Sequence, residues 1–393
     1  MKKITSLLFL LSLSCALEAQ VLSIEDAITK ALSNNYGVII SQKENAALKT
    51  DIHPGAAGLL PSLDANSSAS YSYSSNNQEF NGGIFPVIEG MEASQNNQSA
   101  KVSASYLLFN GGARVKLYSK LKISGSLSDI QTKITVESAI IQVINWYYEV
   151  VRLSNQLKLM KSSLDLSRDR LKRLLINNDF GNASKIDVLN AQVDFNYDSS
   201  NVVINELSLK KSKNELNYLL GREIAIRFDV NEEIKLPKLK EVSEYIEKAK
   251  KNNTLALLSN IQLDMSEIDK KISVANFMPM VFTNLDYGYS GSASDVGVFK
   301  SASSIGYTGS VSLKWNLFDG LKKQKSLEKA KINIEVNTNK QEQVLLKIEK
   351  EVQNYYDEIS KNNKLFTLET QNRLVAQQKL DRSRYLLNNG SIT

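Results

Sequence analysis

Few residues of this sequence have the types and spacing that catalysis requires. His53 is the only histidine and Pro54 follows it, so the chain holds neither a histidine pair for a metal ion nor a histidine-based triad. Cys15 is the only cysteine, which excludes a disulfide within the chain. No phosphate-binding loop is found, and no pair of carboxylates stands out from helix-surface charge. The sequence therefore predicts a protein that is not an enzyme and uses no cofactor or metal.

The first residues are typical of an export signal. Two lysines precede an apolar run at 4–13, and small residues follow to Ala19, so residues 1–19 are predicted to be a secretory signal peptide. Neither this run nor any later segment reaches the roughly 20 apolar residues of a membrane-spanning helix. An alternative is that Cys15 is the lipidated first residue of a lipoprotein, for which Ser12 is not the preferred residue three places earlier.

The charge of the chain does not point to nucleic acid. The formal net charge is +6, and a basic chain can indicate nucleic-acid binding. Here lysines are mixed with glutamates along helical stretches such as 209–215 and 244–253, which is typical of solvated helix faces. An exported protein also meets little nucleic acid, so no such partner is expected.

The sequence contains one unit of roughly two hundred residues written twice. EDAITKALSNNYGVIIS at 25–41 aligns with SEYIEKAKKNNTLALLS at 243–259, so that Ile28 matches Ile246. Further along, YLLFNGG at 106–112 aligns with WNLFDGL at 315–321. We therefore predict a first structural repeat at 20–221, a linker at 222–240 and a second repeat at 241–393.

Each copy shows the same order of predicted elements. Apolar residues at helical spacing predict a helix from Leu22 to about Asp51 and another from Val242 to about Ala275. A proline then breaks the helical pattern, and apolar and polar residues alternate with a period of two, which predicts strands. The predicted strands, two per copy and joined by polar loops, are 61–73 and 100–109 in the first copy, and 279–290 and 306–318 in the second.

The alternation in these strands favours a membrane barrel. Their lengths fit tilted membrane strands, and because the smallest membrane barrels need about eight strands, subunits must share one barrel. In the last strand Val311, Leu313, Trp315 and Leu317 are predicted to face lipid, and Lys314 and Asn316 to face an aqueous lumen. The alternative, an amphipathic hairpin packed on the helices, remains open.

The repeated words FNGG and FDGL mark the step from a strand into a helix. Asn110 and Asp319 are predicted to accept backbone hydrogen bonds as helix N-caps. Gly111 and Gly320 are predicted to permit the turn of the backbone between the two elements. The same junction is therefore expected at both places.

A long helical hairpin follows the first junction. No proline occurs between 113 and 178, and about sixty-five helical residues would extend to the order of 100 Å. The helix is predicted to turn near 178–184 and to return toward Gly221, after which residues 224–230 alternate as a short strand. The residues predicted to form the first apolar stripe of the long helix are Ile130, Ile134, Ile141, Ile144, Tyr148 and Val151.

This order of elements, with its duplicated LFNG and LFDG words and the turn FGNASKIDVLNAQ at 180–192, resembles the TolC-type outer-membrane efflux protein family over nearly the whole chain. The resemblance implies an α+β membrane protein. Three copies would close one β-barrel in the outer membrane of a Gram-negative cell, and long antiparallel helical hairpins would continue it as a helical barrel in the periplasm. Such a protein is a passive exit duct that docks on a periplasmic adaptor protein and an inner-membrane pump or transporter.

The resemblance also assigns the hairpin tips. Gly181, Asn182 and Asp187 lie at the first tip, where an adaptor would dock, although Asp187 is equally explained as a helix-start carboxylate. Gly390 marks the second tip, and the family's entrance carboxylates would lie beyond Thr393. We therefore expect the chain as written to be truncated and not to form a stable, closed channel. Two alternatives to a working duct remain open: a periplasmic structural or adaptor coiled-coil protein, and a non-functional fragment of such a channel.

Overall fold

The structure is a computed structural model, and it describes residues 21–78, 88–232, 238–296 and 299–389. The predicted signal peptide, with Cys15, and the predicted tip residue Gly390 lie outside the described residues. In chain order the elements are β1 (Val21–Leu22), α1 (Ile24–Asn34), α2 (Tyr36–Thr50), β2 (Ser62–Gln78), β3 (Ile88–Phe109), α3 (Ala113–Asp179), α4 (Lys185–Leu219), β4 (Asp229–Val230), α5 (Val242–Asn252), α6 (Thr254–Ala275), β5 (Met280–Ser294), β6 (Ser301–Lys314) and α7 (Lys322–Asn388).

The chain divides into two compact units. The described residues of the first unit lie within Met1–Ala46, Asp129–Tyr245 and Gln353–Thr393, and those of the second lie within Ala47–Ser128 and Ile246–Val352. Helices α3 and α7 contain 67 residues each. None of the described helices combines the length and the hydropathy that crossing a membrane would need.

The core of the first unit forms around Tyr147 of α3. This side chain is 2% exposed, and its hydroxyl donates to the carbonyl oxygens of Leu22, at 2.9 Å, and Asn231, at 3.0 Å. A buried phenol needs such partners, and here they fasten the first strand and the linker to the helix. The buried residues packed in this cluster are Leu22, Ala27, Ala31, Val143, Tyr147, Val150, Val151, Leu216, Leu219, Leu220, Phe228 and Val230.

The apolar stripe of α3 differs from the predicted one. Ile141 is 57% exposed and Tyr148 is 37% exposed, whereas Val143, Tyr147 and Val150 are buried. Val151, which belongs to the predicted stripe, is buried as well, so the buried side of the helix is shifted from the predicted stripe but overlaps it. Spacing alone therefore predicted the period correctly and the buried face only in part.

Each of the two predicted first helices is in fact a pair of helices. Asn35 separates α1 from α2, and Asn253 separates α5 from α6. Each asparagine ends one helix by donating its N–H to the carbonyl oxygen four residues earlier, at 2.9 Å. Each then begins the next helix, because its side-chain oxygen accepts the N–H of Val38 or Leu255. An asparagine with an extended backbone performs both tasks without proline or glycine.

The linker forms less strand than predicted. Of residues 224–230, only Asp229–Val230 form a strand, which is paired in parallel with Val21–Leu22. Before it, the N–H of Ile226 donates to the carbonyl oxygen of Glu223 and closes a turn. The Nδ2 of Asn217 in α4 donates to the carbonyl oxygens of Ile224, at 2.8 Å, and Ile226, at 2.9 Å. Hydrogen bonds from the Asn217 side chain thus hold this segment in place of the strand pairing that was predicted.

The second unit contains a four-stranded antiparallel sheet in the order β2-β3-β5-β6. The strands are longer than predicted at the first hairpin, because β2 continues to Gln78 and β3 begins at Ile88. Their Asn- and Gln-rich ends were predicted as loop, but ladder bonds come from the backbone, and polar side chains do not prevent them. At the other end, β6 stops at Lys314, so the predicted end at 318 is wrong.

The last part of α7 carries several exposed leucine side chains. Leu365, Leu368, Leu374 and Leu380 are 55%, 55%, 57% and 44% exposed.

Candidate functional site

The four-stranded sheet has one apolar face. Its register places Ala65 opposite Val102, Val102 opposite Tyr287, and Tyr287 opposite Tyr307, so these four side chains form one row on the same side. Large side chains on this face are exposed to solvent; Tyr307, for example, is 81% exposed. The residues that the register places on the apolar face include Leu63, Ala65, Val102, Ala104, Leu285, Tyr287, Tyr289, Ile305, Tyr307, Val311 and Leu313.

The opposite face of the same sheet is polar. Ser68 and Ser99 share a hydrogen bond of 2.8 Å across β2 and β3, and Ser290 and Ser304 share one of 2.9 Å across β5 and β6. Lys101 of β3 lies 3.8 Å from a carboxylate oxygen of Asp286 on β5. The residues that the register places on the polar face include Asp64, Asn66, Lys101, Ser103, Asn284, Asp286, Thr308, Ser310, Ser312 and Lys314.

The sheet has an exposed apolar face and two open edges. Strands β2 and β6 lie at the two edges, and each pairs on one side only within the described chain. Unpaired edge strands bind further strands, and large exposed apolar patches mark surfaces that contact proteins or lipid. The open edges are therefore able to pair with further strands, and the apolar face has the features of a surface that contacts protein or lipid.

The end of β6 places the predicted lipid- and lumen-facing residues in two groups. Val311 and Leu313 lie on the apolar face, 70% and 66% exposed, and Lys314 is the last strand residue, on the polar face. Trp315, Asn316 and Leu317 come after the strand. The indole N–H of Trp315 donates to the carbonyl oxygen of Phe277 at 3.1 Å. The carbonyl oxygen of Asn316 accepts from the ammonium group of Lys323 at 2.9 Å, and Leu317 is 80% exposed.

The two junctions between strand and helix share one geometry. The Oδ1 of Asn110 accepts the N–H of Arg114 at 3.4 Å, and an Oδ2 of Asp319 accepts the N–H of Lys323 at 3.2 Å. Each side chain thus accepts the N–H of the second residue of the following helix, which begins three residues after it. The four residues with positive φ at these junctions are Gly111 (68°), Gly112 (78°), Gly320 (68°) and Leu321 (68°).

Leu321 stands where the first junction has Gly112. It is the only residue other than glycine with a positive φ in the described chain. The sequence analysis did not predict a positive φ for Leu321, although the alignment of FNGG with FDGL places this leucine opposite a glycine. A left-handed backbone costs a residue with a β-carbon about 1–2 kcal/mol, so the second junction holds strain that the first does not.

We expect the glycines and Leu321 to respond differently to substitution. A β-carbon added at Gly111 would lie 2.6 Å from the carbonyl oxygen of Ala275 and 2.8 Å from the Cβ of Met278, whereas none of the described atoms lies within 4 Å of one added at Gly320. Gly111→Ala should therefore destabilise by more than about 2 kcal/mol, Gly320→Ala by about 1–2 kcal/mol, and Leu321→Gly should stabilise by about 0.5–1 kcal/mol. Denaturant unfolding of the three variants gives this order, and equal losses for both alanine variants would contradict it.

The turn between α3 and α4 is built from local hydrogen bonds. Gly181 has a φ of 77°, and the N–H of Asn182 donates to the carbonyl oxygen of Asn177 at 2.7 Å. Ser184 then caps α4, since its hydroxyl oxygen accepts the N–H of Asp187 at 3.1 Å while the carboxylate accepts the N–H of Ser184 at 3.1 Å. Asp187 therefore closes a capping box. The hydrogen bonds from the Ser184 hydroxyl and backbone hold the pKa of this carboxyl below its ordinary value.

The capping box predicts a pH-dependent turn. Because the folded pKa of Asp187 is lowered, its stabilising contribution is fully present above about pH 4, the ordinary range of an Asp, and is lost as the pH falls through the lower folded value. Ser184→Ala removes the cap and should destabilise the start of α4 by about 1 kcal/mol. Hydrogen exchange of the N-terminal amides of α4 measures both effects. Exchange that is unaffected by Ser184→Ala at neutral pH would show that the cap is unimportant.

Within the described residues no group of three or more His, Cys, Asp or Glu side chains is placed to hold a metal ion. The features that the fold brings together are instead the two-faced sheet, the two junctions and the capped turn.

Comparisons with known proteins agree with this architecture. The family profile for outer membrane efflux proteins matches residues 27–222, and no curated protein matches the chain. The outer-membrane channel OprN shares 15% identity, with a TM-score of 0.74 over 94% of this chain and 81% of that chain. The outer membrane channel CmeC of Campylobacter jejuni shares 14% identity, with a TM-score of 0.74 over 94% of this chain and 77% of that chain. The outer membrane protein VceC of Vibrio cholerae shares 15% identity, with a TM-score of 0.69 over 94% and 87%.

The fold is that of the outer-membrane channels with which the chain was compared. The chain belongs to the outer membrane efflux protein family, as the resemblance in its sequence predicts.

Proposed function

We propose that the protein is the outer-membrane exit duct of an efflux or type I secretion system and conducts its substrates passively from an inner-membrane pump to the outside. The observation that carries this proposal is the sheet with one apolar and one polar face and two open edges. In a membrane barrel the apolar face contacts lipid and the polar face lines water. Membership of the outer membrane efflux protein family supports the same location and role.

The open edges support assembly from several copies. Four strands are too few for a barrel, which needs about eight or more, and β6 of one copy can pair with β2 of the next. Three copies, as in the family, would close the wall and leave no edge. A two-fold internal repeat is part of the proposal, and the matched junctions, the breaks at Asn35 and Asn253, and the equal lengths of α3 and α7 support it.

The capped turn supports docking at the hairpin tip. Phe180 is 76% exposed and Ile186 is 68% exposed on either side of Gly181, so a rigid turn presents apolar side chains to solvent. Such a surface fits a periplasmic adaptor protein that joins the duct to its pump. Asn182 lies in the turn, and Asp187 contributes by fixing the start of α4 rather than by an unpaired charge.

Cysteine crosslinking in the periplasm tests the docking. A photoactivatable crosslinker on Asn182→Cys, in the protein expressed from its complete reading frame, should capture an adaptor protein. The same reagent on Leu207→Cys, which is also an exposed position and lies within α4, is the matched control and should capture it far less. Crosslinks from Asn182→Cys only to structures outside the cell would contradict the proposed orientation.

A further inference from the structure

Two carboxylates lie in one row of the polar face. Ser103 of β3 pairs with Asp64 on one side and with Asp286 on the other, and Asp286 pairs with Thr308 of β6. All four side chains therefore point to the same side of the sheet at the same level. Neighbouring strands lie about 4.8 Å apart, so the two carboxylates are separated by roughly 10 Å.

One lysine lies near both of these carboxylates. Lys101 lies one row away, opposite Asn66 and Gly288, and is diagonal to both Asp64 and Asp286. A β-carbon at Gly288 would lie 2.5 Å from the Cβ of Lys101, so a glycine leaves room for the lysine beside β5. The lysine pairs with Asp286 at 3.8 Å, and Asp64 has no ion-pair partner in the described part of the chain. The row and Lys101 together carry a net charge of about −1 per copy at neutral pH.

The other lysine of the polar face is too far away to cancel this charge. Lys314 pairs with Met280, six positions along β5 from Asp286. At about 3.3 Å per residue this is roughly 20 Å, which exceeds the screening length of about 8 Å at physiological ionic strength. The carboxylate row and Lys314 therefore act as separate bands of opposite sign.

We propose that Asp64, together with the Lys101–Asp286 pair, forms a negatively charged band inside the barrel that favours cations over anions in the conducted stream. This inference rests on the proposed function, because only a closed barrel turns the row into a ring. The ring attracts cations by its field rather than by binding them, since charges lining a channel raise the local concentration of counter-ions. The substrates that it would favour are cationic or neutral molecules.

Ion selectivity of single channels tests the band. In bilayers at 0.1 M KCl, Asp64→Asn should lower the permeability ratio of K⁺ to Cl⁻ by about two-fold, and Lys101→Gln, which leaves Asp286 unpaired, should raise it by about two-fold. In 1 M KCl, where the screening length is about 3 Å, the differences should largely disappear. Glu92→Gln is the matched control, because it removes a carboxylate from the opposite face of β3 and should leave the ratio unchanged.

Recording from single conducting channels separates the outcomes, since misfolded copies contribute no current. A channel that conducts with one and the same ratio in all variants overturns the band and leaves the exit duct intact. A shift with Glu92→Gln as large as with Asp64→Asn also overturns it. A protein that forms no conducting channel overturns the proposed function, and the band with it.

Discussion

Leu313→Arg is expected to prevent most of the protein from assembling in the outer membrane, while Ser312→Arg is expected to leave assembly largely intact. The two residues are neighbours in β6, but Leu313 lies on the apolar face and Ser312 on the polar face. Leu313 is the last residue but one of β6. An arginine facing lipid costs about 2–4 kcal/mol per copy at the bilayer midplane and less toward the bilayer surfaces, whereas an arginine facing water stays hydrated. Because the substitution is present in every copy, the cost is multiplied in the assembly.

The yield of heat-resistant oligomer in isolated outer membranes measures this difference. Both variants are made in the protein expressed from its complete reading frame, with Ser310→Arg as a second variant on the polar face. Ser312→Arg is a closer control than Asn316→Arg, because Asn316 lies beyond the strand. Equal yields for the substitutions on the two faces would show that the assigned facing is wrong.

Asn217→Leu is expected to destabilise the first unit by about 3 kcal/mol, because it removes three hydrogen bonds made by a buried side chain. Asn217 is completely buried. Its amide nitrogen holds the carbonyl oxygens of Ile224 and Ile226, and its Oδ1 accepts from the Nε of Arg222 at 2.7 Å. A leucine fits the volume but removes all three bonds. The linker that leads to the β4 strand would then lose its attachment to α4.

Limited proteolysis and denaturant unfolding measure the loss. We expect new cleavage between residues 222 and 228 in Asn217→Leu and a lower free energy of unfolding. Asn214→Leu is the control, since Asn214 lies nearly one turn earlier in α4 and its side chain makes no hydrogen bond within the described residues. Similar losses for both variants would mean that the hydrogen bonds from Asn217 to the linker do not stabilise the first unit.

The sequence predicted the parts of the fold that local patterns encode. Period-two alternation identified all four strands of the sheet, and the duplicated FNGG and FDGL words identified both junctions. The same alternation predicted that Leu313 and Lys314 lie on opposite faces of the sheet, because the side-chain period of a strand leaves only two choices. Strand ends were less accurate, since the backbone ladder continues through Asn- and Gln-rich segments and stops before Trp315.

Features that depend on distant partners were not predicted. The hydroxyl of Tyr147 bonds to groups more than eighty residues away in the sequence, and no local pattern shows this. Asn217 looks like any polar residue of a helix surface until the linker folds back onto it. The ion pair of Lys101 with Asp286 depends on the register of β3 and β5. That register cannot be predicted from the local sequence pattern.

Mass measurement and single-channel recording on the same purified protein test the central proposal most directly. The protein from the complete reading frame, extracted from outer membranes with detergent, should have the mass of three copies, resist heating, and conduct ions steadily in a planar bilayer. High salt without detergent should not release it from the membrane. A protein that salt releases as a single copy, and that conducts no current, would contradict the exit duct and favour a periplasmic coiled-coil protein instead.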